Sequence, residues 1–531
     1  MGVDNTMLNL AHMKNGMKPR WSLIVILLLA GLLPLTSMAQ KIVYSEPERE
    51  DSRRTNYEII GKVGANILVF KNNRSDNAIS VYDNDMKLVN RMKLDYMDDR
   101  WINVDFVPYS DHVWMIYQFQ RKNIVHCMAV KLNEEAKRLS DPIELDTTRI
   151  GWSANNKIYT TVFSDDKQQI MVFKVNSRNP KNFLFTTLLF NTDLQLKYRH
   201  SMSLPMEERN DYLTDFLLDN EGDLVFGKFR RKNNNDYITD LHMIFKKSDQ
   251  EMFSDHQLNK DDKLLLDEVK IKLDNTNKRY LFTAFYYKQK RGNVEGLYTA
   301  VWDKPTDTLM RENALMFSDE LRKQAKGTDA NLKIAFNDYF IKNIIIKKDG
   351  GYILAAESMY TTSRGNAFNR WDYMGWGNPW AYPMDYYSWN SYYSPWGSPW
   401  SRYGRWGNGM QSTRYNADNI MVLSFDKEGN MVWNNVIPKS QYDDDNDDLI
   451  SNYIMNTGGQ LHFLFNVYER RTLILNDQSI DADGKITRHP TLKGLDKGAD
   501  FMPRMGKQIS SRSMIMPCLY RNYITFAKIE F

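Results

Sequence analysis

Cysteine is nearly absent from this sequence. The chain of 531 residues contains two, Cys127 and Cys518, and each stands in a short apolar run. Two cysteines exclude a disulfide-stapled framework and any metal site made of four thiolates. The pair could form one bridge if the fold brings the two ends of the chain together. We favour two buried thiols, because cysteine is among the residues most often buried.

An excess of charge of one sign is also missing. The chain carries 70 lysines and arginines against 66 aspartates and glutamates, which gives a formal charge of +4. Proteins that bind polyanions usually present a strongly basic face. Because no stripe of lysine or arginine is visible in the sequence, we exclude nucleic acid from the expected partners.

Short catalytic and metal-binding motifs are absent as well. The sequence has no HExxH, no GxSxG and no phosphate-cradling glycine loop. No two of the histidines after residue 39 share a metal-ligand spacing; they are His112, His126, His200, His242, His256, His462 and His489. These absences leave open an active site assembled from distant carboxylates. We therefore interpret the chain first as a binding protein and only second as an enzyme.

Long apolar runs are missing except at the N-terminus. Lys18 and Arg20 precede the apolar run 22–35, and small residues up to Ala39 follow it. This order is typical of a secretory signal peptide, predicted here as residues 1–39. The run is shorter than the roughly 20 residues of a membrane-spanning helix. We expect an exported protein, periplasmic or extracellular, free or associated with the outer membrane, with no transmembrane segment after cleavage.

Helical periodicity is scarce, and the clearest helical candidate is the short segment Ser318–Gly327. Apolar residues recur instead in short runs rich in Val, Ile, Phe, Tyr and Thr, separated by Asn, Asp and Gly. Runs such as NILVFKN and RYLFTAFYY are continuously apolar, which is typical of sheets buried on both faces. The sequence therefore predicts an all-β fold.

One turn formula recurs between strands. LDNEGDL begins at Leu218, FDKEGNM at Phe425 and IDADGKI at Ile480. The aspartate can cap the bend, and the glycine can adopt the positive φ that a tight two-stranded corner needs. These segments are predicted to be hairpin turns.

The predicted strands form groups of about four that recur roughly every 45 to 55 residues. This period indicates a β-propeller, in which blades bury their faces only by stacking on their neighbours. We expect residues 40–531 to form seven blades, or eight if the C-terminal group is closed by the strand Lys41–Tyr44. The alternatives are tandem β-sandwiches and an outer-membrane barrel, the latter suggested by the alternating segment that ends in Phe531.

Part of the chain resembles a known group of proteins. GGYILAAESMY from Gly350, DNIMVLSFDKEGNMVWNNVIPKSQ from Asp418 and LISNYIMNTGGQLHFLFN from Leu449 are similar to uncharacterised secreted proteins of the Bacteroidota. The signal peptide is similar to theirs too. The resemblance covers residues 332–466 and implies a propeller-like fold. It brings no catalytic motif that could be transferred to this sequence.

The segment 361–417 interrupts one predicted blade with an aromatic, low-complexity insertion. It holds seven of the chain's 13 tryptophans, and its four prolines prevent a helix or a central strand. Loops of this length are usually functional or disordered. Trp and Tyr bury large surfaces when they find a partner. We therefore predict that the following residues contact an envelope protein or a glycan: Trp371, Trp376, Trp380, Tyr386, Trp389, Tyr392, Trp396, Trp400 and Trp406.

Three other interpretations of the insertion stay open. It could fold back over its own propeller as a lid, it could lie at a membrane interface, or it could be a low-complexity loop without a selected role.

The acidic run YDDDNDDL is a weak candidate for a cation site. Asp443, Asp445 and Asp447 alternate as in the start of a calcium loop. The glycine and the bidentate glutamate of an EF-hand are missing. We favour a solvated acidic turn, keep Ca²⁺ as the alternative, and expect no other cofactor.

Together these patterns predict an exported propeller that acts as a non-enzymatic binding or scaffolding protein of the bacterial cell envelope. The alternative function is a glycan-active propeller enzyme that uses a pair of carboxylates. Such an enzyme needs two acidic side chains facing the interior of the ring.

Overall fold

The computed structural model describes residues 40–531 apart from the segments 49–55, 74–75, 98–100, 152–156, 180, 207–210, 215, 232–236, 261–263, 268, 291, 327–330, 364–366, 369–412, 445–446, 471, 493–497 and 522. Ile42–Glu530 form one compact unit. The second unit consists of Met1–Lys41 and Phe531, of which Gln40, Lys41 and Phe531 are described. The predicted signal peptide lies outside the described residues.

Thirty-six strands of the described residues assemble into seven sheets, and one sheet joins two blades through a short strand. The strand β1 is Lys41–Tyr44. Blades 1 and 2 are β2 Asn56–Val63, β3 Asn66–Asn73, β4 Asp76–Tyr82, β5 Leu88–Lys93, and β6 Trp101–Pro108, β7 Val113–Arg121, β8 Ile124–Leu132, β9 Ile143–Arg149. Blades 3 and 4 are β10 Tyr159–Phe163, β11 Ile170–Asn179, β12 Asn182–Phe190, β13 Leu196–Pro205, and β14 Asp211–Leu213, β15 Leu217–Leu218, β16 Leu224–Arg231, β17 Ile238–Lys246, β18 Ser254–Leu258.

The second half of the chain repeats this plan. After the linking strand β19 Leu265–Leu266, blade 5 is β20 Lys270–Asp274, β21 Arg279–Tyr287, β22 Gly296–Asp303 and β23 Thr308–Met316. Blade 6 is β24 Tyr339–Ile346, β25 Tyr352–Ser363, β26 Ala367–Phe368, β27 Thr413–Phe425 and β28 Met431–Asp443. Blades 7 and 8 are β29 Asn452–Asn456, β30 Gln460–Glu469, β31 Thr472–Asp481, β32 Ile486–Arg488, and β33 Ala499–Phe501, β34 Lys507–Ser510, β35 Ser513–Tyr520, β36 Tyr523–Glu530.

The blades form a closed ring. The first strands of several neighbouring blades contact one another, with β2 touching β6, β15 touching both β10 and β20, and β20 touching β24. The ring closes where β34 of blade 8 contacts β2 of blade 1. First strands that meet in this way lie at the hub, and they are called the inner strands below. The prediction of a β-propeller is confirmed, and the described sheets make up eight blades.

The eighth blade is completed by the start of the described chain. The strand β1 pairs with β36, so the last blade contains strands from both ends. Just after β1, the Ser45 amide donates to the Phe526 carbonyl at 2.8 Å, and the Phe526 amide donates to Ser45 Oγ at 3.0 Å. This pairing covers a sheet edge that would otherwise be exposed.

The core lies between successive blades, because each sheet buries both faces. Along β21, the residues Tyr280, Phe282, Ala284 and Tyr286 face the core shared with blade 4. Their neighbours Leu281, Phe285 and Tyr287 face the core shared with blade 6. Successive side chains of a strand point to opposite faces of the sheet, so one strand contributes side chains to two cores. This explains the continuous apolar runs in the sequence.

The predicted hairpin turns are present, and more turns share their geometry than the sequence showed. Gly222, Gly429 and Gly484 have φ angles of +88°, +79° and +84°. The amides of these glycines donate to the carbonyls of Asp219, Asp426 and Asp481. Further turns place a residue other than glycine at a positive φ, among them those at Met86, Ala136, Lys167 and Leu194.

The single described α-helix, α1, is Asp319–Lys326, as the segment Ser318–Gly327 predicted. Ser318 Oγ caps it by accepting the Leu321 amide at 3.2 Å. Asn419 of β27 donates to the Ala325 carbonyl at 3.0 Å, which ties the helix end to blade 6. Two short 3-10 helices, Leu332–Ile334 and Pro503–Met505, complete the described helical structure. No helix among the described residues is long and apolar enough to span a membrane.

The two cysteines lie in different blades. Cys127 is on β8 of blade 2 and Cys518 is on β35 of blade 8, and both are buried and unpaired with each other. Burial raises the pKa of both thiols. The expectation of two buried thiols is confirmed, and neither is suited to act as a nucleophile.

Candidate functional site

The nine aromatic residues predicted as contacts lie outside the described residues, within 369–412. These residues are Trp371, Trp376, Trp380, Tyr386, Trp389, Tyr392, Trp396, Trp400 and Trp406. Their assignment stays a prediction. The structure does describe the strands from which the insertion departs and the blade surface around them.

The insertion leaves blade 6 from a pair of unusually long strands. The strands β25 and β27 pair in register out to Ser363 opposite Thr413, so the strands continue into the segment that the sequence placed in the loop. The inner strand β24 begins at Tyr339, which lies opposite Ser358. Beyond that point β26 takes its place beside β25, with Thr361 opposite Phe368. The base of the insertion is therefore a sheet that extends, along the strand direction, beyond the end of the inner strand β24.

A buried ion pair holds this base. Lys439 Nζ of β28 lies 2.9 Å from Glu357 Oε1 of β25, and both side chains are completely buried. Lys439 also donates to the Ala417 carbonyl at 2.8 Å and to Gln441 Oε1 at 2.7 Å. Ser451 Oγ donates to the other carboxylate oxygen of Glu357. The pair thus has the additional hydrogen bonds that a buried charge requires.

Burial opposes ionisation of Glu357, but Lys439 and Lys342 outweigh it and hold the pKa of Glu357 below its usual value. Burial also lowers the pKa of Lys439, and the charge of Glu357 opposes that shift. The Glu357–Lys439 pair joins β25 to β28 in blade 6. The hydrogen bond from Ser451 adds the connection to blade 7 to this network. This network fixes the position of the strands that carry the insertion.

Next to this base lies an exposed surface made of Arg414, Tyr442, Asp443, Asp444 and Tyr468, called the rim surface here. Arg414 Nε and Nη2 donate to the two Asp444 oxygens at 2.7 and 3.0 Å. The Arg414 guanidinium also lies over the Tyr442 ring, 4.3 Å from its centroid. Tyr442 and Tyr468 are 50% and 63% exposed. Large aromatic side chains with this exposure mark a candidate contact surface.

Tyr468 of blade 7 lies close enough to the acidic end of β28 for the carboxylates there to affect its pKa. Partial burial and then the charges of Asp443 and Asp500 raise the pKa of Tyr468, with Tyr442 and Asp444 contributing as well. Two tyrosines, an arginine and carboxylates thus share one edge of blades 6 and 7. Arg414 is the second residue after the segment 369–412, so the rim surface is continuous with the end of the insertion.

The predicted cation site falls beside the rim surface. Asp445 lies outside the described residues. Asp447 is buried and forms an ion pair with Arg504, while Asp444 pairs with Arg414. Arginines thus supply positive charge to two carboxylates of the acidic run. Calcium binding by Asp443, Asp445 and Asp447 stays a prediction.

A second candidate site, missed by the sequence reasoning, lies on the inner strands. Glu58 of β2, Asp105 of β6, Lys157 just before β10 and Lys507 of β34 come from four consecutive blades. Lys157 Nζ lies 3.0 and 2.9 Å from the two Asp105 oxygens. Lys507 Nζ donates to the Ile60 carbonyl at 3.1 Å. These four residues are called the inner charge cluster below.

Glu58 has a perturbed ionisation. Burial, opposed by Lys507 and reinforced by Asp105, raises the pKa of Glu58 to about 7. The Glu58 side chain nevertheless keeps partial solvent exposure. A carboxyl that titrates near neutral pH beside a second carboxylate can act as a general acid or base. The inner charge cluster therefore holds two carboxyl groups, and the pKa of one of them, Glu58, is near neutral pH.

Comparison with known proteins finds likeness in fold alone. No family model and no curated protein matches the chain. It is similar to the polysaccharide lyase Uly1, with 12% identity, a TM-score of 0.38, and coverage of 80% of this chain and 89% of that chain. It is also similar to prolyl oligopeptidase B of Galerina marginata, with 9% identity and a TM-score of 0.39 over 88% of this chain. The chain spans 56% of the length of that peptidase.

A third similar structure is a mutant of the Synechocystis apocarotenoid oxygenase, with 8% identity, a TM-score of 0.32 and coverage of 93% of each chain. At these identities and scores, the likeness concerns the β-rich architecture, and no functional residue is carried over from it. The class of protein is therefore defined by the chain's own sheets, as a closed eight-bladed β-propeller.

Proposed function

We propose that this chain is an exported binding protein of the bacterial cell envelope, which contacts a glycan through the aromatic insertion and the adjoining rim surface. The observation that carries the proposal is the pair of exposed tyrosines, Tyr442 and Tyr468, set beside Arg414 and carboxylates where the insertion ends. The export half of the proposal is supported by the signal-like segment 1–39.

The side chains of the rim surface are better suited to bind a sugar than an apolar side chain of another protein. The C–H groups of a sugar ring lie flat on an aromatic face, and its hydroxyls need donors and acceptors close by. Tyr442 and Tyr468 supply aromatic faces. Asp443 and Asp444 supply hydrogen-bond acceptors, and Arg414 supplies hydrogen-bond donors. The tryptophans of the insertion would extend the same kind of surface.

The buried base supports binding because it pre-organises the surface. Holding a recognition surface in one arrangement before binding lowers the entropy lost on association. The Glu357–Lys439 pair and its hydrogen bonds hold β25, β27 and β28 together at the point from which the insertion departs. A fully buried ion pair seldom adds net stability, so positioning is the better reason for keeping one here.

Replacing Tyr442 or Tyr468 by alanine tests the proposal. Each substitution removes a stacking face that contributes about 1 kcal/mol, so the affinity for a bound glycan should fall about fivefold to tenfold. Glycans that bind the wild-type chain are first identified on an array and then titrated calorimetrically. Tyr198→Ala is the matched control, because Tyr198 is 41% exposed on β13 of blade 3, far from the insertion. Equal affinities for all four proteins would show that the rim surface is not the binding site.

A second candidate function has its own supporting observation. The inner charge cluster offers Glu58, with its pKa near 7, as a general acid and Asp105 as the partner carboxylate. Glycan-cleaving enzymes use such a pair. A glycan-active enzyme is therefore retained as the alternative. Loss of turnover in a Glu58→Gln variant separates it from a protein that only binds.

A further inference from the structure

Blade 7 carries a cluster of two histidines and an aspartate outside both candidate sites. His462 lies on β30, Asp477 lies on β31, and His489 directly follows β32. His462 is opposite Ser479 in the register, and the His489 amide donates to the Asp477 carbonyl at 3.0 Å. Residues that are opposite each other, or two apart on one strand, share a face of a sheet. The four side chains therefore project from the same side of the blade.

The polar atoms of this cluster converge. His462 Nδ1 lies 3.0 Å from both Oδ1 and Oδ2 of Asp477. The two imidazole rings have centroids 5.2 Å apart, and Ser479 Oγ lies 2.8 Å from His489 Nε2. One ligand atom from each of His462, Asp477 and His489 lies within 4.8 Å of the other two. His462 and Asp477 are buried and His489 is half-buried, so solvent reaches the cluster from one side.

We propose that His462, Asp477 and His489 form a binding site for a divalent transition metal ion of the zinc type. Imidazole nitrogen and carboxylate oxygen are common zinc ligands, with bond lengths of about 2.0–2.2 Å. Ligand atoms around one such ion lie about 3.5 Å apart by tetrahedral geometry. The observed separations reach 4.8 Å, so binding requires the side chains to rotate toward the ion. Two nitrogen ligands select against Ca²⁺ and Mg²⁺, which take oxygen ligands.

The arrangement fits a metal site better than a simple hydrogen-bonded pair. Both Asp477 oxygens lie 3.0 Å from His462 Nδ1, and His489 lies beside them, so the cluster offers three ligand groups where a hydrogen-bonded pair needs only two. Ser479 contacts the His489 imidazole and would hold that ligand in place. If His489 binds through Nδ1, its Nε2–H donates to Ser479 Oγ, and this kind of hydrogen bond orients most metal-binding histidines.

Such a site would join three neighbouring segments of blade 7. It links β30 and β31 to the residue after β32, which is a strand of only three residues, Ile486–Arg488. A metal ion that binds the native chain stabilises it by mass action. Zinc should therefore strengthen the outer edge of this blade.

Zinc titration of the chelator-treated full chain tests the proposal. We expect one Zn²⁺ per chain by calorimetry and by elemental analysis, together with a higher thermal unfolding midpoint. His489→Ala should weaken zinc binding by more than about 100-fold, because the loss of an outer-shell contact alone costs about 10- to 100-fold. His489 is half-buried, so this variant is expected to fold. Circular dichroism checks that it does.

The matched control is His242→Ala. His242 contacts Asp240 and Asp255 on blade 4. The substitution therefore removes a histidine that lies beside carboxylates and leaves blade 7 unchanged. It should keep the wild-type zinc affinity. Cobalt gives a second readout, since its visible absorption reports nitrogen ligation in the wild type and should disappear in His489→Ala. The absence of saturable zinc binding, or equal affinities of the two variants, would overturn the assignment. Binding of Ca²⁺ as tight as that of Zn²⁺ would do so too.

Discussion

Replacing Lys439 by methionine lowers the free energy of unfolding by about 3–5 kcal/mol, the cost of leaving one charge of a buried pair uncompensated. Glu357 would remain fully buried with its carboxylate facing an apolar side chain. Ser451 still donates to it, but one hydrogen bond replaces little of the attraction to an ammonium 2.9 Å away. Urea denaturation at pH 7 measures the difference.

Two further variants make this prediction specific. Lys427→Met is the matched control, because Lys427 is exposed and pairs loosely with Glu428 at 3.7 Å. It should change stability by no more than about 0.5 kcal/mol. The double variant Glu357→Leu, Lys439→Met removes both charges and should recover most of the loss. If Lys439→Met unfolds like the wild type, the pair does not hold the base of the insertion.

Replacing Glu58 by glutamine raises stability at pH 8 and leaves it unchanged at pH 4. Burial raises the pKa of Glu58 from 4.5 to about 7. The folded state therefore penalises the charged form. The penalty is absent below pH 4.5, grows as the pH rises, and is complete above pH 7. A shift of this size corresponds to about 3 kcal/mol, which the neutral glutamine removes. Urea unfolding of both proteins at pH 4 and pH 8 measures it, and pH 4 serves as the internal control.

This prediction also bears on the inner charge cluster. A side chain that lowers stability at neutral pH is more readily explained by function than by packing. If the variant is less stable than the wild type at pH 8, Glu58 is a structural partner of Lys507, and the enzyme alternative loses its general acid. If it is more stable and a glycan-cleaving activity is lost with it, the alternative gains the residue it needs.

The fold was predictable because its determinants are local. Gly222, Gly429 and Gly484 mark hairpin corners directly in the sequence, and the continuous apolar run of β21 indicates a sheet buried on both faces. Turns that place Met86 or Leu194 at a positive φ gave no such signal, because these residues do not favour that conformation. The ends of the insertion were also misplaced, since 361–363 and 413–417 are strand residues of mixed polarity.

The candidate sites were less predictable because they depend on partners that are distant in sequence. Glu357 and Lys439 are brought together only when the strands on either side of the insertion pair. Glu58 and Lys507 meet only when the ring closes between blades 8 and 1. His462 and Asp477 lie on neighbouring strands, and their proximity depends on the register of β30 against β31. No local spacing encodes any of these contacts.

Excision of the insertion tests the central claim, which is that this propeller binds through the insertion and the rim surface. Ser363 and Thr413 face each other in the register, so a two-residue Asn-Gly turn can replace residues 364–412 without moving either strand. We expect an unchanged unfolding midpoint and a loss of affinity for the glycan of at least about 100-fold, because most of the aromatic contact area is removed. A shortened chain that folds and binds with wild-type affinity would contradict it.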